Sequence, residues 1–163
     1  MATTIIHRSH PVMRNFWERY TEFPDLYDRF AVSSVRAVEE IDAMLGFTGT
    51  SVLDMASGTG RAAFEMARLA NHVVGVEPND NMRAFAIQKQ RSRRVDNVEF
   101  VAGVAEDLSS FGTGVFDRVV SVHGAPFEWD DRGVAVRESL RVVKQGGWVA
   151  FVSARFGIWY RRA

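Results

Sequence analysis

Residues 52–60 read VLDMASGTG, an apolar run that carries a carboxylate and passes into a glycine-rich turn. Gly58 and Gly60 let backbone approach a ligand closely and take positive φ where a tight turn needs it. A helix-like stretch follows, so its first N–H groups face the same ligand. Two ligand classes use such a loop. In one, a dinucleotide pyrophosphate lies on the helix N-terminus, and Gly58-x-Gly60-x-x-Ala63 satisfies the loose form of that pattern. Asp54, four residues before Gly58, would oppose a pyrophosphate; it suits an ammonium or a sulfonium. Glu77 closes the next apolar run, 17 residues after Gly60. An acid there accepts both hydroxyls of a ribose in either class. Together the two acids point to a cationic nucleoside.

Further candidates follow along the chain. His123 ends a later apolar run and titrates near neutrality, so it is the best general base; the alternative is a structural histidine at a strand end. Asp130 and Asp131 read as caps of the next helix. With Glu128 they show no His/acid spacing for a metal, so no metal site is expected. Trp17, Tyr20 and Tyr27 could close over a ligand or pack helices, and Phe127 and Trp129 could line an acceptor pocket or join the core. Lys89, Arg91, Arg93 and Arg94 form a basic run at a helix end, where cations suit the dipole, and read as a solvated face.

The elements that must position these residues come from periodicity. Residues 51–55, 72–77, 98–102, 116–122 and 148–153 are short apolar runs of strand type. Residues 61–70, 81–90 and 132–143 carry apolar positions at helical spacing. Gly146-Gly147 is expected to stop the last helix. Alternation of this kind implies a parallel sheet covered by helices on both faces, joined by right-handed crossovers. Ahead of it, Ala31, Val35, Val38, Ile41 and Leu45 repeat at helical spacing, after an aromatic-rich lead-in around Pro24. Residues 1–49 therefore read as a helical cap and 50–163 as the ligand-binding domain, one structural unit together.

Composition sets the outer limits. The chain has 163 residues, 47% of them hydrophobic and 25% charged, which suits one globular domain. Twenty basic residues balance twenty acidic ones, whereas a chain that grips nucleic acid usually carries excess positive charge. Nucleic acid is therefore not an expected partner. There is no cysteine, hence no disulfide and no thiolate zinc site. No apolar run approaches a membrane span and residues 1–10 lack a signal peptide's apolar stretch, so a cytoplasmic protein is expected.

Five segments, taken in order, resemble the motifs of the class I S-adenosylmethionine-dependent methyltransferases, close to the group that includes quinone-biosynthesis enzymes. VLDMASGTG is similar to that family's VLDxGxGTG, and HVVGVEPNDNM to its second-strand motif. NVEFVAGVAEDLSSF, FDRVVSV and LRVVKQGGWVAFV resemble its third, fourth and fifth strands, and LYDRF the helix before the first. The resemblance implies a Rossmann-like three-layer fold with a mainly parallel sheet of about five strands in the order 3-2-1-4-5. It implies S-adenosylmethionine as cofactor and a small-molecule methyl acceptor as partner. Carried over by position, Asp54, Ala56, Gly58 and Gly60 would line the methionine portion. Glu77 would bind the ribose, Pro78 and Met82 would border the adenine, and Val104, Ala105 and Glu106 would lie at the base edge. His123 would sit where cofactor and acceptor meet, with Tyr20, Phe127 and Trp129 as acceptor or cap residues.

Three departures qualify the resemblance. Ala56 replaces the first glycine of the loop, at little cost if φ is negative there. Val104 stands where many relatives carry an Asp for the adenine amino group, leaving base recognition weaker or carried by Glu106. The family usually continues past strand five into a hairpin, giving 3-2-1-4-5-7-6, whereas only ten residues follow Ser153. Strand five would then be an exposed apolar edge. Coverage is expected from another subunit, the amino-terminal segment, a separate chain or the apolar tail with Phe156, Ile158, Trp159 and Tyr160; a truncated chain is the alternative. The rival functions are a cofactor-binding partner subunit without turnover, a nicotinamide dehydrogenase, and an RNA or protein methyltransferase.

Overall fold

The computed structural model describes residues 21–30, 34–124, 132–153 and 157–163. Among the described residues, the helices α1 (Pro24–Phe30) and α2 (Ser34–Leu45) precede the sheet. Then come β1 (Ser51–Met55), α3 (Arg61–Ala67), β2 (His72–Val76), α4 (Asp80–Arg93) and β3 (Val98–Val101). After a long connection follow β4 (Phe116–Val122), α5 (Arg132–Val142), β5 (Val143–Ser153) and β6 (Gly157–Arg162). The strands form one six-stranded sheet in the order β3-β2-β1-β4-β5-β6. Five are mutually parallel, as the alternating pattern implies, and β6 is antiparallel to β5.

Alternation along each strand splits the apolar side chains between two cores. Val52, Val73, Val98 and Val120 face one layer, built from Ala37, Val38, Ile41 and Leu45 of α2 with Ala62, Ala63 and Met66 of α3. Leu53, Val74, Val119 and Val149 face the other, built from Ala135 and Val142 of α5 with Ala105 and Leu108 of the loop after β3. Val35 stays largely exposed, so the inner stripe of α2 is Ala37, Val38, Ile41 and Leu45. Polar side chains tie off the helix ends. The Arg118 guanidinium donates to the carbonyls of Leu45 and Gly46 at the end of α2, and Asn97 Nδ2 donates to those of Ala67, the last residue of α3, and Ala70. Asn79 caps α4, its Oδ1 accepting from the N–H groups of Asn81 and Met82.

The carboxy-terminal part differs from the sequence-based expectation in two ways. Gly146-Gly147 does not stop a helix; α5 ends at Val142 and β5 begins at once. The two glycines lie in an irregularity that shifts β5 against β4, from Phe116↔Val143 to Arg118↔Trp148. The edge of β5 is covered by the tail itself. Trp148 to Ser153 pair with Arg162 to Gly157, Trp159 stacks on Phe151, and Ile158 packs against the first core. A short hairpin therefore gives a sheet of six strands where about five were expected. No helix among the described residues is long and apolar enough to cross a membrane.

Candidate functional site

The site forms where β1, β2 and β4 end, at the point where the strand order reverses and an open α/β sheet leaves a crevice. The loop leaving β1 bends over the end of β2, where the Ser57 N–H donates to the Val76 carbonyl at 3.0 Å. Gly60 takes φ 78°, and a Cβ there would lie 2.5 Å from Cζ of Phe100, so both the turn and the packing demand glycine. Ala56 does not meet the condition of negative φ under which its cost would be small, since it sits in the left-handed region at φ 56°. Its methyl is accommodated by Gly124, where a Cβ would come within 2.8 Å of the Ala56 Cβ. His123, beside Gly124, is also left-handed at φ 59°. Strained backbone thus borders the site on both strands.

Asp54 is buried at the end of β1. Burial first, and the nearby charge of Glu77 second, push its carboxyl up to about 8, against an opposing backbone hydrogen bond from Ala63. Its Oδ2 has no partner among the described residues, and neither do Ser57 Oγ and Arg61 Nε, although all three atoms are buried. These residues line one narrow cleft together with Tyr27, Ala56, Gly58, Thr59 and Val122. Native structures rarely leave buried polar atoms unpaired, so three around one cleft mark a place for a polar ligand. Arg61 was missed by the sequence reading because the residue after Gly60 carries no distinctive spacing.

Glu77 follows β2 and is also buried. Its carboxylate accepts from the Gly58 N–H at 2.8 Å and the Asn79 N–H at 2.9 Å, which fixes its orientation. Pro78 is exposed at the rim. Met82 Cε and Tyr27 Cε1 lie 3.8 and 3.9 Å from where a Gly58 Cβ would be. Beyond β3, Val104 is exposed, Ala105 is buried and Glu106 is half-buried. Glu106 borders a second, open cleft of about 410 Å³ with Asp107, Ser109, Val134, Arg137, Glu138 and Arg141. His123 has its pKa lowered by burial, which keeps the imidazole neutral at pH 7. Tyr20, Phe127, Trp129, Trp17, Glu128, Asp130 and Asp131 lie outside the described residues.

One cluster corrects the sequence reading. Lys89 does not belong to a solvated basic face; only Arg91, Arg93 and Arg94 are exposed. Lys89 Nζ donates to Asp28 Oδ1 at 2.8 Å and to the Thr59 carbonyl at 3.1 Å, while Thr59 Oγ1 donates to the same Asp28 oxygen at 2.6 Å. Burial lowers the Lys89 pKa; Asp28 opposes this, and Arg93 and Arg61 add to it. The available signal was that Lys89 falls seven residues after Met82, on the inner face of α4 with Phe85 and Ala86.

Comparison with known proteins places this geometry. The family described as "Methyltransferase domain" matches residues 53–151. The ubiquinone/menaquinone biosynthesis C-methyltransferase UbiE of Pseudomonas putida is 32% identical over 139 residues, covering 83% of this chain and 46% of that protein. The demethylmenaquinone methyltransferase of Lactococcus lactis is 32% identical over 108 residues, covering 64% of this chain and 42% of that protein. The chain thus spans less than half the length of these relatives. A crystal structure of the Bacillus subtilis YcgJ protein superposes with TM-score 0.68 at 28% identity, over 72% of this chain and 50% of that one. The crystal structure of the [4+2]-cyclase SpnF also superposes with TM-score 0.68, at 26% identity, over 73% of this chain and 44% of that one. The glycine loop, the two strand-end acids, the sheet order and these matches agree: the chain belongs to the class I S-adenosylmethionine-dependent methyltransferase family, whose cofactor is S-adenosylmethionine.

Proposed function

We propose that this chain holds S-adenosylmethionine in the cleft after β1 and transfers its methyl group to a small-molecule acceptor. The observation that carries the reading is the set of buried atoms with no partner among the described residues, Asp54 Oδ2, Ser57 Oγ and Arg61 Nε. A carboxylate and a guanidinium in one cleft suit the two ends of an amino-acid zwitterion. Asp54 would take the ammonium and Arg61 the carboxylate of the methionine portion. Glu77, oriented by two backbone N–H groups, would accept the ribose hydroxyls. Pro78 and Met82 border the base, with Val104, Ala105 and Glu106 at its edge.

When bound, the cofactor supplies a methyl group already activated by its sulfonium. The protein's part is to hold that group, exclude water and align the acceptor. His123, neutral at pH 7, accepts the proton of an acceptor that reacts through a hydroxyl. Balanced net charge favours a small acceptor over RNA. The quinone-related names of two relatives support the same class.

Calorimetric titration with S-adenosylhomocysteine tests the reading, with NADH in parallel. Micromolar binding lost in Asp54→Asn and Glu77→Ala supports it, and methyl transfer to members of a phenol and quinol panel completes it. Binding of NADH alone makes the chain a dinucleotide binder. Cofactor binding with no turnover on any acceptor leaves a cofactor-binding partner subunit.

A further inference from the structure

We propose that Lys89 is a positioning residue that, with Asp28 and Thr59, latches helix α1 and its Tyr27 closed over the bound cofactor. The inference rests on the cofactor reading above and extends it to the device that retains the ligand. Helix α1 has seven residues, too few to hold a helical form alone. Among the described side chains, those of Pro24 to Arg29 belong to neither hydrophobic core, and Leu26, like Phe23 just before the helix, is largely exposed. Apolar burial of Pro24 to Arg29 therefore does not anchor it.

The polar cluster does. Asp28 Oδ1 receives hydrogen bonds from both Lys89 Nζ of α4 and Thr59 Oγ1 of the glycine loop. Lys89 Nζ also binds the Thr59 carbonyl and lies 5.3 and 5.6 Å from the ring centroids of Phe64 and Phe85. One ammonium thus joins three elements. The Lys89 and Asp28 side chains are only 11% and 22% exposed, so neither charge is well served by water when its partner is removed. Asp28 directly follows Tyr27, whose Cε1 lies 3.9 Å from where a Gly58 Cβ would be and which lines the same cleft as Asp54 and Arg61. Fixing Asp28 fixes where that ring sits. An attachment that leans on a few polar contacts also opens at low cost to admit a ligand.

The test measures S-adenosylhomocysteine dissociation by stopped flow for wild type, Lys89→Met, Asp28→Asn and the double variant, each confirmed folded by its melting curve. Trypsin cleavage after Arg29, followed by mass with and without ligand, reports the position of α1. The expected result is dissociation at least about tenfold faster in each single variant and no faster in the double, because the pair acts as one unit. Ligand should protect Arg29 from cleavage in the wild type and not in the variants. A merely structural role would lower the melting temperature and leave the dissociation rate and the protection unchanged. Folded variants with wild-type dissociation overturn the latch and leave the cofactor reading intact. A wild type that does not bind overturns both.

Discussion

Asp54 and Glu77 close the two neighbouring parallel strands β1 and β2, and the charge of Glu77 is the second cause, after burial, that lifts the Asp54 pKa to about 8. The folded chain therefore keeps a proton that the unfolded chain releases near pH 4. Below about pH 4 both states are protonated and Asp54 costs nothing. As pH rises toward about 8 the unligated fold loses stability, on the order of 1 kcal/mol per pH unit. Asp54→Asn should raise the melting temperature of the free protein at pH 8, measured by scanning calorimetry. A cationic ligand reverses the demand, since its ammonium needs the carboxylate. Affinity for S-adenosylhomocysteine should rise between pH 6 and 8, with release of close to one proton at pH 7. Titration in buffers of different ionisation enthalpy measures that release. An affinity independent of pH, with no proton released, would sink the ammonium role of Asp54.

Arg61 should be read out by the ligand's carboxylate alone. Arg61→Gln is expected to weaken S-adenosylhomocysteine by at least about tenfold, the loss of one charge-assisted hydrogen bond. Methylthioadenosine, which lacks the amino-acid end, should bind wild type and variant equally. Equal weakening of both ligands would mean that Arg61 supports the loop and does not touch the carboxylate.

Ala56 and Gly124 should behave as a coupled pair. Ala56→Gly relieves about 1–2 kcal/mol of left-handed strain against roughly 0.5–1 kcal/mol of glycine's extra chain entropy. A net gain of about 0.5–1 kcal/mol is expected by urea denaturation. Gly124→Ala puts a methyl within 2.8 Å of the Ala56 Cβ and should cost about 1–3 kcal/mol. The double variant should recover part of that cost. Strict additivity would show that the two positions do not meet.

Trp159 lies 5.2 Å from Phe151, centroid to centroid, with ring planes 7° apart. This stack seals the apolar edge of β5. Phe151 is fully buried, so Phe151→Ala should cost about 3–5 kcal/mol. Trp159 is 38% exposed, so Trp159→Ala should cost less, about 1–2 kcal/mol. A double-mutant cycle should return a coupling of about 0.5–1.5 kcal/mol. A coupling of zero, or an increase in mass on light scattering for the wild type alone, would indicate that something other than β6 covers that edge.

Much of the fold was legible because it is written in local pattern. Apolar runs such as residues 72–76 and the helical spacing of Met82, Phe85 and Ala86 depend on strand and helix periods alone. The loop residues Gly58 and Gly60, and the acids Asp54 and Glu77, were legible for a related reason. A strand–turn–helix places its chemistry within a few residues of chain, so spacing reports position. Gly146-Gly147 misled because the same dipeptide ends a helix or loosens a strand, and only the register between β4 and β5 chooses.

What the sequence by itself determined is therefore the layered parallel sheet, the glycine loop and the pair of acids that face it. Only the tertiary structure decided the rest. Lys89 meets Asp28 across 61 residues, and the tail covers β5 by antiparallel pairing and ring stacking. Ala56 turns left-handed against Gly124, and Arg61 joins Asp54 and Ser57 around one cleft. These pairings depend on burial and on contacts between distant segments, which set a charge, a φ angle or a sheet edge only once the chain has folded around them.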